Sequence, residues 1–257
     1  MRLRKKRSEL PFVLCRRESQ LRLSSRRKAN YLAAVPRSYL FQDRADAGRQ
    51  VAEELLSYAG RDDVIVLALP RGGVPVAFEV AQRLGVPLDV FVVRKLGVPG
   101  HEELAMGAIA SGGIRVLNED VVYALPDAQS IVEMITAIER EELKRRELTY
   151  RAGRPPSDLR GRTVILVDDG LATGATMRAA AAALRQQGAA KIIVAVPVGA
   201  PTTCREIRDE VDDILCLHTP VSFMGVGQYY EDFSQTSDEE VRELLAAPAS
   251  KRPESDV

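Results

Sequence analysis

Asp168 and Asp169 stand side by side where an apolar run ends, and the loop that follows is small and hydroxylated: Gly170-Leu171-Ala172-Thr173-Gly174-Ala175-Thr176. Adjacent carboxylates are pure hydrogen-bond acceptors, suited to the neighbouring hydroxyls of a sugar or to a magnesium ion. The loop suits a different partner. It opens an alanine-rich helical pattern, and a phosphate placed there meets unpaired backbone N–H groups and the positive end of the helix dipole. Small residues let the backbone come close, and Thr173 and Thr176 add hydroxyl donors. A phosphate beside a diol describes a phosphorylated ribose. Other readings of the same residues fit less well. A Walker A loop needs a Gly-Lys-Ser/Thr ending that is missing here, and the dinucleotide fingerprint puts glycines first and its acid about 20 residues later. A receiver domain carries such an acidic pair near its N-terminus. A capped turn without a ligand leaves two adjacent carboxylates repelling each other.

A second glycine turn, Pro70-Arg71-Gly72-Gly73-Val74-Pro75, also follows an apolar run and precedes a helical pattern. It reads either as a plain connection or as an anion site, since an arginine beside two glycines offers a cationic fork and bare N–H groups. Near the C-terminus, the stretch His218 to Gln235 gathers Phe223, Tyr229, Tyr230 and Phe233 in a chain with only 5% aromatic residues. Aromatic faces stack on bases, and Phe223 and Tyr229 are the candidates for such contact; core packing is the simpler use of Phe223 and Phe233. His218 reads as a packing residue.

The elements that must position these residues follow from periodicity. Short β-branched runs without alternation, at 64–69, 88–93, 163–167, 191–198 and 213–217, read as strands buried on both faces. Helical patterns lie around 47–58, 74–84, 128–149, 175–187 and 202–210. Their alternation predicts an α/β fold with a mainly parallel, doubly wound sheet. The stretch Met106 to Asp120 departs from this, with two runs around Ser111-Gly112-Gly113 that predict a projecting, movable hairpin. Ser237 and Glu240 form a capping box that starts a last helix. One domain is expected over 38–247, between a basic extension at 1–37 and a polar tail at 248–257.

Composition narrows the function classes. The chain has 36 Lys and Arg against 36 Asp and Glu, but residues 1–37 hold 12 of the cations and only Glu9 and Glu18 of the acids. The remainder has 24 cations against 34 acids, a net charge of −10. A nucleic-acid enzyme carries its positive charge on the folded body, so a nucleic-acid partner is disfavoured. The basic segment has the composition of an organelle-targeting peptide or of a disordered tail, and the tail is the favoured reading. No run approaches the roughly 18 apolar residues of a membrane helix, which predicts neither a membrane span nor secretion. Three cysteines, Cys15, Cys204 and Cys216, and two histidines, His101 and His218, form no zinc or disulfide pattern, so a reducing, cytoplasmic location is expected.

The run VILVDDGLATGAT resembles the motif with which type I phosphoribosyltransferases bind 5-phosphoribosyl 1-pyrophosphate (PRPP), and the resemblance extends over about 40–235. It implies a small C-terminal hood over the sheet, with Asp168 and Asp169 on the ribose hydroxyls. Ala172, Thr173, Gly174, Ala175 and Thr176 would surround the 5′-phosphate. Arg71, Gly72 and Gly73 look like the family's pyrophosphate loop. Magnesium would arrive with PRPP and bridge pyrophosphate to ribose, with Asp168 and Asp169 as its nearest acids. The stretch Val92 to Gly113 is similar to the flexible loop of adenine-type members, which makes Arg94, Lys95, His101, Glu102 and Glu103 the catalytic candidates. In that loop Glu102 or Glu103 would be the base. Ala172 stands where 6-oxopurine enzymes have an acid, so the ATG order sits closer to the adenine type, while Gly170 and Ala175 differ from it. The resemblance also implies a homo-oligomer. The activity expected is transfer of the phosphoribosyl group to a nitrogenous, purine-like acceptor. A non-enzymatic PRPP sensor acting on nucleic acid and a ribosyl-phosphate hydrolase are the alternatives.

Overall fold

Branched apolar side chains with no polar alternation can be satisfied only between two covering layers, and the computed structural model, which describes residues 40–247, shows that arrangement. Strands β1 (Val64–Ala68), β2 (Leu88–Val90), β6 (Thr163–Val167), β7 (Lys191–Val198) and β8 (Asp213–His218) form a five-stranded sheet in the order β2-β1-β6-β7-β8, parallel throughout. Side chains alternate between its faces. Val64, Val66, Ile165 and Val167 pack on helices α1 (Arg44–Glu54), α2 (Gly73–Leu84) and α7 (Asp238–Ala246). Ile65, Leu67, Val164 and Leu166 pack on α5 (Ala175–Gln186) and α6 (Pro201–Arg208). The doubly wound parallel sheet is therefore present, and no helix among the described residues is long and apolar enough to cross a membrane.

Local signals explain the element ends. Asp43 caps α1 by accepting from the Asp46 N–H at 2.7 Å, and Ser237 caps α7 by accepting from the Glu240 N–H at 3.0 Å. The pattern at 47–58 is broken at Leu55, where α1 gives way to a 3-10 turn over Leu56–Tyr58. Segments 1–37 and 248–257, read as extension and tail, lie outside the described residues.

The segment after β2 differs most from expectation. The run at 88–93 leaves the parallel sheet at Val90, and β3 (Val93–Val98), β4 (His101–Ala110) and β5 (Ile114–Leu117) make a separate antiparallel sheet. Residues 94–103, expected as a charged loop, are thus mostly strand. The reason is apolar: Leu96, Val98, Met106 and Ile109 are buried against Val132 and Leu143 of the long helix α4 (Ala128–Arg151). The turn at Ser111-Gly112-Gly113 is where it was expected, with Gly112 and Gly113 at φ 83° and 75°. A short helix, α3 (Glu119–Tyr123), takes the end of the stretch read as hairpin. The excursion closes on a buried clasp. Asp89 accepts from Arg151 Nε at 2.9 Å and from Ser157 Oγ at 3.0 Å, and Arg151 Nη2 donates to the Val90 carbonyl at 2.8 Å.

Candidate active site at the carboxyl end of the sheet

The loop after β6 is built to leave a helix end open. Leu171 crosses to β7, donating to the Val198 carbonyl at 2.9 Å and accepting from the Ala200 N–H at 2.8 Å. Thr203 Oγ1 on α6 donates to the Ala172 carbonyl at 2.7 Å. Gly174 then turns the chain at φ 76°, where an added Cβ would lie 2.6 Å from Thr203 Cγ2, so only glycine fits. It begins α5 without a side-chain cap, and the Thr173 and Thr176 hydroxyls have no partner among the described residues. Ala172, Thr173, Ala175 and Thr176 are exposed around a cleft of about 170 Å³ reaching from Asp168 to Met177. Uncapped N–H groups beside free hydroxyls form an anion cradle. Val226 roofs it, close enough to Gly170 that an added Cβ would fall 2.5 Å from Val226 Cγ1.

The two acids at the mouth of this cradle are not equivalent. Among the described residues, Asp168 Oδ1 accepts only the Asp169 N–H, at 2.9 Å. Asp169 is gripped at both ends: its carboxylate accepts from Arg44 Nε at 2.8 Å, and its carbonyl accepts from the Tyr230 hydroxyl at 2.6 Å. Burial raises the pKa of Asp168 well above the ordinary carboxylate value, and the neighbouring Asp169 charge adds to this. Burial also raises Asp169, and the Arg44 charge opposes it. Such a pair is short of positive charge. Among the described residues no group of three or more His, Cys, Asp or Glu could hold a metal. Two acids of this kind fit a magnesium ion that brings most of its oxygen ligands with the substrate.

The glycine turn after β1 packs directly on the acids. A Cβ on Gly72 would collide with Asp169 Oδ2, and one on Gly73 would lie 3.1 Å from Asp168 Oδ1. The Pro70–Arg71 peptide is cis, and Arg71 leans toward α7, with Nη1 3.7 Å from Asp238 Oδ1. Thus Gly72 and Gly73 pack on Asp168 and Asp169, while Arg71 extends from the same turn toward α7.

The hairpin candidates are more scattered. Arg94 Nε pairs with Glu139 of α4 at 2.7 Å, and Lys95 Nζ pairs with the fully exposed Glu103 at 3.3 Å. Lys95 lines a cleft of about 380 Å³ with Ala175 and Thr176 of α5, which brings it beside the anion cradle. His101, Glu102 and Glu103 line a separate shallow cleft with Leu104, and no hydrogen bond or ion pair joins them to the acids after β6 among the described residues. Backbone N–H groups of Glu102 itself and of Gly100 hold the exposed Glu102 carboxyl below its usual range, which makes it a weaker base. At the C-terminal end, Phe223 and Tyr229 stack on each other, ring centroids 5.7 Å apart, and the Tyr229 hydroxyl donates to the Ser222 carbonyl. His218 packs against Phe41 at 5.7 Å, and burial lowers its pKa.

Sequence reasoning missed Arg44, Tyr230 as a partner of Asp169, Val226 and Thr203. Arg44 lies 125 residues from Asp169 and reads in sequence as an ordinary charge at a helix start. The Tyr229-Tyr230 doublet was visible, yet its second member, buried and bonded to the Asp169 backbone, is the one tied to the acids.

A parallel sheet bearing an acidic pair, a glycine turn and an uncapped helix start at its carboxyl end defines an α/β protein with a candidate phosphate site at its strand ends. The phosphoribosyl transferase domain model matches residues 39–232, and the chain belongs to that family. A Mycobacterium tuberculosis protein named as a phosphoribosyl transferase is 50% identical over 206 residues, covering 80% of this chain and 46% of its own length, so the chain spans about half of that relative. A crystal structure of a Thermus thermophilus protein superposes with a TM-score of 0.71 at 43% identity, covering 80% of this chain and 97% of the other. A uracil phosphoribosyltransferase of Bifidobacterium adolescentis is 39% identical over 72 residues, 28% of this chain and 33% of that protein.

Proposed function

We propose that this chain transfers the 5-phosphoribosyl group of PRPP to a nitrogenous acceptor and releases pyrophosphate. The observation that carries this reading is the packing of the Gly72-Gly73 turn onto Asp168 and Asp169, with the uncapped start of α5 next along the chain. Three complementary surfaces, for pyrophosphate, ribose and 5′-phosphate, then follow one another in the order of the PRPP molecule. In the reaction the C1′–O bond to pyrophosphate breaks while a ring nitrogen of the acceptor bonds to C1′, and the nitrogen's proton passes to solvent or to a base. Positive charge develops on the sugar and negative charge on the leaving group. Arg71 and the backbone N–H groups of the glycine turn stabilise the leaving group, and the acids stabilise the sugar. Magnesium, when bound with PRPP, would neutralise pyrophosphate charge, and Asp168 and Asp169 would be the acids available to hold it. Lys95, which shares a cleft with Ala175 and Thr176, is the hairpin cation that closure of the hairpin would carry toward the leaving group. The acceptor ring is assigned to the Phe223 and Tyr229 side, where the C-terminal segment supplies aromatic surface.

The test is product analysis of the full chain with PRPP, magnesium and a panel of purine, pyrimidine and pyridine acceptors. A nucleoside monophosphate formed in step with pyrophosphate is the expected result. Ribose 5-phosphate formed equally with and without acceptors would establish hydrolysis in its place, and PRPP binding without any turnover would establish a sensor.

A further inference from the structure

The guanidinium of Arg44 sits where three parts of the candidate site meet. Nε holds Asp169 Oδ2 at 2.8 Å, Nη1 donates to the Ser234 carbonyl at 2.6 Å, and the group lies over the Phe233 ring at 3.9 Å from its centroid. It also covers the glycine turn, since a Cβ on Gly72 would lie 3.3 Å from Arg44 Nε. Both members of the ion pair are largely buried, with side chains 12% and 16% exposed. A planar, always-charged fork can hold a carboxylate and a carbonyl while stacking on a ring, which an ammonium cannot do. The Tyr230 hydroxyl fixes the Asp169 carbonyl from the same C-terminal segment. Asp169 is thereby locked in side chain and backbone, while among the described residues Asp168 has no side-chain partner.

Resting on the phosphoribosyltransferase reading, we infer that Arg44 is a positioning residue that divides the acidic pair. Through Arg44, Asp169 becomes a fixed strut linking the glycine turn to the C-terminal segment, and Asp168 is left as the acid that meets ribose. The acidic pair thus acts as one ligand and one support. Arg44 reaches the glycine turn through Asp169 and the C-terminal segment through Ser234 and Phe233, so its removal misplaces the pyrophosphate turn and the C-terminal segment together.

The experiment is calorimetric titration of magnesium-PRPP into the full chain and four variants, R44A, R44K, D169N and R44A/D169N, with D168N as the reference for a direct contact. R44A and D169N are each expected to weaken PRPP binding about tenfold, and the double variant no further, because both remove the same linkage. R44K is expected to recover part of the loss, keeping the charge without the stacked fork. With an acceptor, R44A is expected to raise KM for PRPP and for the acceptor, since both walls shift, whereas D168N raises KM for PRPP alone. Losses that add in the double variant, or R44A binding equal to wild type, would overturn the inference. Thermal unfolding of each variant separates misfolding from misplacement: if R44A is unfolded, the folded R44K must still show the split in KM or the inference fails. Absence of PRPP binding in wild type would instead overturn the functional reading itself.

Discussion

The acids after β6 and the charges on the β3–β4 hairpin came from the same kind of sequence signal, a cluster of ionisable residues beside glycines, yet the fold treats them differently. Asp168 and Asp169 are partly buried, bear on the glycine turn and have raised pKa values. Lys95, His101, Glu102 and Glu103 are surface groups whose pairs involve exposed partners. Charges held by packing are preorganised for binding, whereas solvated ones are free to rearrange when a ligand arrives. If the function proposed above holds, the contrast separates a fixed binding floor from a hairpin that acts later in the cycle.

The largest effect is expected from breaking the floor. Gly72→Ala puts a methyl group into the Arg44–Asp169 pair and should cost about 1–3 kcal/mol of stability, as overpacking does. PRPP affinity should fall by about a hundredfold, as measured by calorimetry beside thermal unfolding; wild-type affinity in this variant would show that the turn is no part of the site.

Asp168→Asn should separate stability from function. Folded Asp168 and Asp169 hold protons more tightly than the unfolded chain, so between the ordinary value of 3.8 and their raised values the folded state binds more protons. Their contribution to stability is therefore lost as pH rises through that window. Replacing Asp168 by Asn removes one of these titrations and should flatten the fall in Tm as pH rises above about 4, while PRPP binding drops by at least about tenfold. A Tm that falls with pH as steeply as in wild type would show that Asp168 is not the source of that fall.

Lys95→Ala sharpens the comparison from the other side. If the hairpin acts only in the transition state, turnover should fall about tenfold or more with PRPP affinity changed less than about twofold. Equal losses in both would make Lys95 part of the floor. The smallest effect is expected for Glu103→Gln, whose pair with Lys95 is exposed: stability should stay within about 0.5 kcal/mol of wild type by thermal unfolding.

What was legible in the sequence was local. Strand β6, its acids, the loop and α5 are contiguous, so spacing alone arranged the cradle from Asp168 to Thr176. The turn at Arg71 to Gly73 was equally readable as the connection from a strand to a helix, because a β-branched run ending in glycines marks one. The hairpin was read too short. Leu96, Val98 and Met106 are spaced among charges and carry a strand signal only once α4 covers them. The ties of Arg44 and Tyr230 to Asp169 could not be read, because they depend on chain separations of 125 and 61 residues.

The clasp of Asp89 and Arg151 has a consequence for how freely this protein can vary. Because the Arg151 guanidinium returns to the Val90 carbonyl, the chain leaves and re-enters the sheet layer at nearly one point. The hairpin and α4 hang from that point as a pendant, and their length is not written into the register of β1 and β6. Lengthening the tip at Gly100, where φ is 78° and an added Cβ would meet nothing within 4 Å, changes only the entropy of an already closed loop. That costs about 0.6 kcal/mol per doubling of loop length, so the hairpin can be rebuilt while the parallel sheet stays as it is.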